Sequence, residues 1–313
     1  MILFHNLLIH FVVVLITPIF MVGIINRVKS IWAGRRGPRL NQAWFDLVRL
    51  LRKTPVYSQV TTWVFSIAPL VILASTLAAS LVCPMVPGCA PFAFEGDFVV
   101  FAYLLGLGRV FLMLGALDTG SSFEGMGASR EATFSALAEP VFLLSLGTLA
   151  WMSGRQSFHD LLLATDPWSM ETVLRITIAG AIFVVLLIES SRVPADDPTT
   201  HLELTMVHEV MVLDHSGPEL AIVQYASAIK MTILAAIMAA ILNPFSPRDD
   251  LMMSILAMAT SAGLIVLIAV AIGLIESLMA RLRFRALPLL TFSAFLAVVL
   301  SLIIVVATQG ASR

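Results

Sequence analysis

An all-α, polytopic integral membrane protein with about eight transmembrane helices is what this sequence predicts. Three observations carry the expectation. The chain of 313 residues is 59% hydrophobic and only 12% charged. Its mean hydropathy is +0.95. Its apolar runs recur at lengths near twenty residues, which is what a hydrocarbon core of about 30 Å requires. A soluble domain is excluded by that composition, nucleic acid is not expected as a partner, and the net charge of −1 says little because it averages a basic first connection with an acidic fifth.

Windows of apolar density with charges at their edges place spans at 7–26, 63–86, 97–117, 131–152, 172–190, 220–242, 251–275 and 286–308. The first run lacks a basic leader and a small-residue cleavage site, and Arg27 and Lys29 follow it, so it is expected to be a retained helix. Next comes 40–53, where Leu40, Trp44, Leu47, Val48 and Leu51 recur at helical spacing opposite Asp46, Arg49, Arg52 and Lys53. That pattern predicts an amphipathic helix lying in the membrane interface, ended by Thr54 and Pro55. The second span ends in CPMVPGC, where Cys83 and Cys89 are expected either to form a bridge or to be two inert thiols. The segment 118–131, DTGSSFEGMGASRE, is expected to be a glycine-rich connection that allows close backbone approach or positive φ. It is not a nucleotide-binding turn, since no strand precedes it and no GK[ST] follows. No repeat divides the chain, so residues 1–313 are expected to form a single membrane domain.

Lys and Arg counts set the orientation. The first connection holds Arg27, Lys29, Arg35, Arg36, Arg39, Arg49, Arg52 and Lys53, and the seventh holds Arg281, Arg283 and Arg285. The positive-inside rule then puts connections one, three, five and seven in the cytoplasm and both termini outside, in a cell inner membrane.

Ionisable residues inside or at the margins of the spans are Arg109, Glu139, Arg175, Glu189, Lys230 and Glu276. Each costs about 2.5–3.5 kcal/mol at the bilayer centre, so such groups turn to the bundle interior and find partners or water. Arg175, Glu189 and Glu276 lie near span ends, where snorkelling is the plain alternative. Glu139 precedes Pro140, which frees a backbone carbonyl beside a carboxylate, a setting suited to proton exchange. Simple kinking is the alternative there.

The fifth connection, ESSRVPADDPTTHLELTMVHEVMVLDHSGPELA at 189–221, collects seven carboxylates and three histidines. His201, His208 and His215 recur every seven residues, so on one helix they would lie about 10.5 Å apart and not share a metal ion. Proton exchange or surface hydrogen bonding is the expected use.

RRGPRLNQAWFDLVRLLRK, DTGSSFEGMGASREA and the fifth connection, in this order and between these spans, resemble the complex I subunit 1 family over nearly the whole chain. The resemblance implies eight transmembrane helices whose cytoplasmic loops join the membrane arm to a hydrophilic redox arm. Departures from the quinone-reducing branch include Arg39, Leu40 and Asn41 after Gly37-Pro38, and Thr199 and His201 where that branch carries glutamates. HLELTMVHEVMVLDHSGPELA is similar to the membrane subunit of formate hydrogenlyase and hydrogenase-4 type nickel-iron hydrogenases. The resemblance therefore implies a non-catalytic anchor that couples a redox module to proton or sodium movement. Arg109, Glu139, Glu189, Lys230 and Glu276 would line the ion path. Arg35, Arg36, Arg130, Glu131, Arg192, Asp196, Asp197, Glu203, His208 and Asp214 would dock the hydrophilic module. No cofactor or metal is expected on this chain, because two cysteines cannot ligate the clusters involved; iron–sulfur clusters and a nickel-iron centre are expected in partner subunits. Expected partners are hydrogenase-type large and small subunits with iron–sulfur proteins, antiporter-like membrane subunits and the lipid bilayer. The other readings are a quinone-binding subunit 1 of a respiratory NADH:quinone oxidoreductase and a stand-alone secondary transporter, the latter opposed by the absence of an internal repeat.

The orientation is open to a direct check. Cysteines placed at Phe4 and Ala311 are expected to react with an impermeant reagent from outside; labelling from the cytoplasmic side alone would reverse the assignment.

Overall fold

Lipid offers backbone N–H and C=O groups no partner, so each long apolar run must close its own hydrogen bonds as a helix. A computed structural model of the chain describes residues 2–85, 90–163, 169–196, 206–245, 251–280, 282 and 286–311. Its elements are α1 (Ile2–Trp32), α2 (Gln42–Leu51), α3 (Trp63–Val82), α4 (Asp97–Asp118), α5 (Ser122–Ser153), α6 (Phe158–Leu161), α7 (Met170–Glu189), α8 (His208–Met211), α9 (Gly217–Leu242), α10 (Leu251–Leu278) and α11 (Leu287–Ala311). Eight of these are long and apolar enough to cross a membrane, and no strand occurs among the described residues. The protein is an all-α, polytopic membrane protein.

Helix α9 forms the centre. The bundle buries 67% of its apolar window, against 28% for α11 at the periphery. α1, α2, α3, α7 and α10 all pack on α9, while α5 and α11 enclose α7 from the other side. Leucine gains little by leaving lipid for protein, so membrane helices associate through close packing of small residues. The extensive α3–α4 pair shows this: a Cβ added at Gly108 would sit 2.6 Å from Ser75 Oγ.

The spans fall where hydropathy predicts, with one instructive difference. The segment 118–131 is not a loop. Gly120, at φ +69°, makes the turn after α4, and α5 then starts at Ser122 and runs for 32 residues straight through Pro140. Glu124, Gly127, Ala128 and Glu131 in its first turns are buried against the rest of the bundle. A hydropathy average registers their polarity but not the direction they face. At its other margin the interfacial helix is shorter than 40–53, since α2 covers Gln42–Leu51 and buries none of its residues. Cys83 is a buried, free thiol whose pKa burial pushes up; Cys89 lies outside the described residues.

Gly127 seats α8 on α5. A Cβ there would meet Val210 Cγ1 at 2.4 Å and Val207 O at 3.0 Å, whereas the nearest atom to one at Gly125 lies 4.0 Å away. Gly127→Ala is expected to cost about 1–3 kcal/mol by overpacking, measured as a lower unfolding temperature in detergent, while Gly125→Ala leaves that temperature unchanged or higher.

Candidate functional site

Helical spacing gathers the site's residues. α4 turns Leu105, Gly108, Arg109 and Leu112 to one side, and α9 turns Val223, Ala226, Ser227 and Lys230 to the same place. With Ile72 and Thr76 of α3 and His208 of α8 they enclose a cavity of about 20 Å³. One water needs roughly 10–15 Å³, so the space admits a single molecule.

Arg109 is the hub. Its Nη2 donates to both Oε1 and Oε2 of Glu189 at 2.8 Å, and its Nη1 donates to Glu139. Its Nε lies 3.8 Å from Glu131 Oε1, too far for a hydrogen bond, and has no hydrogen-bond partner among the described residues. Lys230 Nζ stands 3.5 Å from Glu189 Oε2. Arg109, Glu189 and Glu131 are all buried, but 52% of the Glu139 side chain is exposed on the outer face of α5. Three carboxylates thus face two cations. One carboxylate exceeds what the cations neutralise, and a proton or another cation is the group that balances it.

Of the five residues expected on an ion path, the structure brings four together and leaves one apart. Glu139 and Lys230 do not pair with each other; each reaches the other only through Arg109 and Glu189. Glu276 belongs to a second cluster, with Lys29 Nζ at 2.7 Å and Arg192 Nη1 at 3.1 Å. Its side chain is fully buried. With the Leu282 N–H donated to Pro194 O at 3.1 Å, this cluster straps the fifth connection to α1 and α10. Arg175 does not snorkel: it is buried in α7, and its Nη2 donates to Leu161 O at 3.4 Å.

The residues expected at a docking surface divide in the same way. Arg35, Arg36 and Asp214 are exposed at the end of the bundle that carries α2 and α8. Arg130 is half-buried and donates to Met206 O at 2.9 Å. Glu131 lies inside, beside Arg109. Asp196 is 3% exposed, and its Oδ2 accepts the N–H groups of Val207 at 3.0 Å and His208 at 3.1 Å, so its carboxylate is used within the loop rather than offered at the surface. Asp197 and Glu203, like His201, lie outside the described residues.

His208 is half-buried, with Nε2 3.2 Å from Ser227 Oγ. Burial, then the Lys230 and Arg192 cations, push its pKa down to about 4, so the ring is neutral at neutral pH. His215 has a different role, stacked at 4.0 Å on Phe65 with Nδ1 3.3 Å from Glu219 Oε2; burial lowers its pKa too.

A larger cavity of about 260 Å³ opens between α1, α2, α9 and residues 190–192, 196 and 208–209. Pro18, Val22 and Met231 give it apolar wall, and Gln42, Asp46, Arg192, Asp196 and His208 give it polar wall. Sequence reasoning missed Lys29 as an ion-pair partner and Ser227 as a cavity residue. Ser227 carried a signal all the same, standing three residues before Lys230 on one helix face.

Relatives of the chain are recognisable among known proteins. The NADH dehydrogenase family profile matches residues 5–307. Hydrogenase-4 component C of Escherichia coli (strain K12) is 31% identical over 291 residues, which covers 91% of this chain and 90% of that protein. Formate hydrogenlyase subunit 4 of the same organism is 27% identical over 276 residues, 87% of this chain and 89% of that one. The H subunit of the NADH-quinone oxidoreductase of Rubrobacter xylanophilus is 28% identical over 207 residues, 65% and 62% of the two chains. A chain of the membrane-bound sulfane sulfur reductase, an archaeal respiratory membrane complex, shares the fold, with a TM-score of 0.79 at 14% identity over 97% of this chain and 100% of that one. With eight helices among the described residues long and apolar enough to cross a membrane, and a profile match over nearly its whole length, the chain belongs to the NADH dehydrogenase family, that of complex I subunit 1.

Proposed function

We propose that this chain is the membrane-anchoring and ion-coupling subunit of a membrane-bound nickel-iron hydrogenase complex of the formate hydrogenlyase type. The observation that carries the reading is the Arg109 cluster, in which buried Arg109, Glu131 and Glu189 join Lys230 and the half-exposed Glu139, three carboxylates to two cations, separated by His208 from a cavity at one end of the bundle. Likeness to hydrogenase-4 component C and formate hydrogenlyase subunit 4 supports the hydrogenase side of it. In this reading the iron–sulfur clusters and the nickel-iron centre belong to hydrogenase-type large and small subunits and iron–sulfur proteins. Connections one, three, five and seven face the cytoplasm from the inner membrane, and Arg35, Arg36, Arg130 and Asp214 meet the hydrophilic module there.

Coupling follows from the hydrogen bonds. A carboxylate that takes up a proton loses its hold on Arg109, and the guanidinium re-pairs with a neighbour; Glu131, within 3.8 Å of a free Nε, is the nearest acceptor. Movement of the fifth connection under the redox module reaches the cluster through α8 and Lys230. Glu139, half-exposed on the outer face of α5, offers the cluster's contact with an antiporter-like neighbour.

A second reading, the quinone-binding subunit of a respiratory NADH:quinone oxidoreductase, is favoured by the 260 Å³ cavity of mixed polarity and by the likeness to the Rubrobacter protein. Purification in mild detergent separates the two: bound quinone marks the second, co-purifying nickel-bearing subunits the first.

In vesicles, Glu139→Gln keeps size and hydrogen bonding but removes the titratable proton. It is expected to lower ion translocation about tenfold or more while the partner's redox turnover persists. Normal pumping would make Glu139 a structural neighbour of Pro140. Arg109→Leu leaves buried Glu189 without its main counter-charge and is expected to cost about 3–5 kcal/mol, measured as less membrane-inserted protein.

A further inference from the structure

One side chain stands between the larger cavity and the charge cluster. His208 lines the 260 Å³ cavity and also the 20 Å³ cavity behind it, whose far wall carries Arg109 and Lys230. We infer that His208, hydrogen-bonded to Ser227, is the relay that passes protons between the cavity and the Arg109–Glu189–Lys230 cluster, and that the coupled ion is therefore a proton rather than sodium. The inference rests on the coupling role proposed above.

The ring is held in place by groups that do not depend on its charge. Asp196 accepts the backbone N–H groups of residues 207 and 208, Val210 and Met211 are buried under the turn, and Gly127 leaves α5 flat beneath it. Ser227 Oγ meets Nε2 at 3.2 Å in the resting orientation, a single bond that a ring flip breaks and remakes. The groups around the ring do not retain a proton on it. Lys230 and Ser227 face it from α9, Arg109 from α4 across the small cavity, and Arg192, Asp196 and Glu209 from its own connection, with Asp196 taken up by backbone donors. Burial and the two nearest cations keep the imidazole neutral, so it releases each proton it accepts. In each transfer one ring nitrogen takes a proton from hydronium in the larger cavity, leaving water, as the other gives its proton up through the single-water space to a carboxylate of the cluster. The ring ends neutral with its tautomer exchanged, and a ring flip restores it.

The same geometry opposes sodium. Besides His208 and the cations, the small cavity is walled mainly by Ile72, Leu105, Leu112, Val223 and Ala226. Room for one water between largely apolar walls leaves a metal ion without its hydration shell, whereas a proton needs only a hydrogen-bonded chain.

The test uses the assembled membrane complex in vesicles, with acidification and sodium uptake both followed during redox turnover. His208→Gln keeps a hydrogen-bonding group toward Ser227, and His208→Ala opens a ring-sized space. Both are expected to lower proton translocation per turnover about tenfold or more with turnover retained, the scale of a lost acid–base group. Added imidazole is expected to restore His208→Ala, a rescue that a merely structural histidine would not show. Should His208→Ala not assemble, His208→Gln decides. Wild-type pumping by His208→Gln beside a silent Glu189→Gln overturns the relay and spares the coupling role; normal pumping by Glu189→Gln as well removes both. Loss without imidazole rescue, or sodium uptake without acidification, also overturns the relay.

Discussion

A guanidinium in a hydrocarbon surrounding must keep its carboxylates, and that need organises this bundle. Arg109 on α4 binds Glu139 of α5 and Glu189 of α7, and Glu189 in turn holds Lys230 of α9. Four spans are thereby tied by one charge network, whose members would each be costly to leave unpaired within a hydrocarbon core. The network gives specificity rather than net stability, since buried ion pairs seldom outperform apolar packing but are costly to break. It fixes which faces of α4, α7 and α9 turn inward, and leaves Glu139 on the outer face of α5.

Around that hub, the fifth connection is secured twice. Arg192 reaches Glu276, which also takes Lys29, and Asp196 folds back onto the start of α8. Charges that would be solvated in an ordinary loop instead join α1, α10 and α8 at one end of the bundle. A displacement of this connection cannot stay local, because its anchors lie on helices that pack on α9.

Much of this was legible in the sequence, and the rest was hidden for identifiable reasons. Apolar runs near twenty residues mark the spans because bilayer thickness is a constant, and Arg109, Glu189 and Lys230 stand out because charge is rare in such runs. The inward start of α5 was not legible, since Glu124 and Glu131 read the same in a solvated loop as on a buried helix face. Nor were the pairings. Hydropathy places Glu276 and Glu189 at similar depth, and only the packing of α1 against α10 sends one to Lys29 and the other to Arg109. Asp196 illustrates a third limit, as a carboxylate in an acidic loop reads as a surface charge until its backbone donors are seen.

The half-exposed Glu139 has a thermodynamic consequence for biogenesis. A carboxylate facing acyl chains raises the free energy of the solitary chain, and any neighbour that covers that face of α5 with a polar group recovers the difference. A subunit left without its neighbours carries its own mark of incompleteness, a carboxylate held by Arg109 on one side and open on the other.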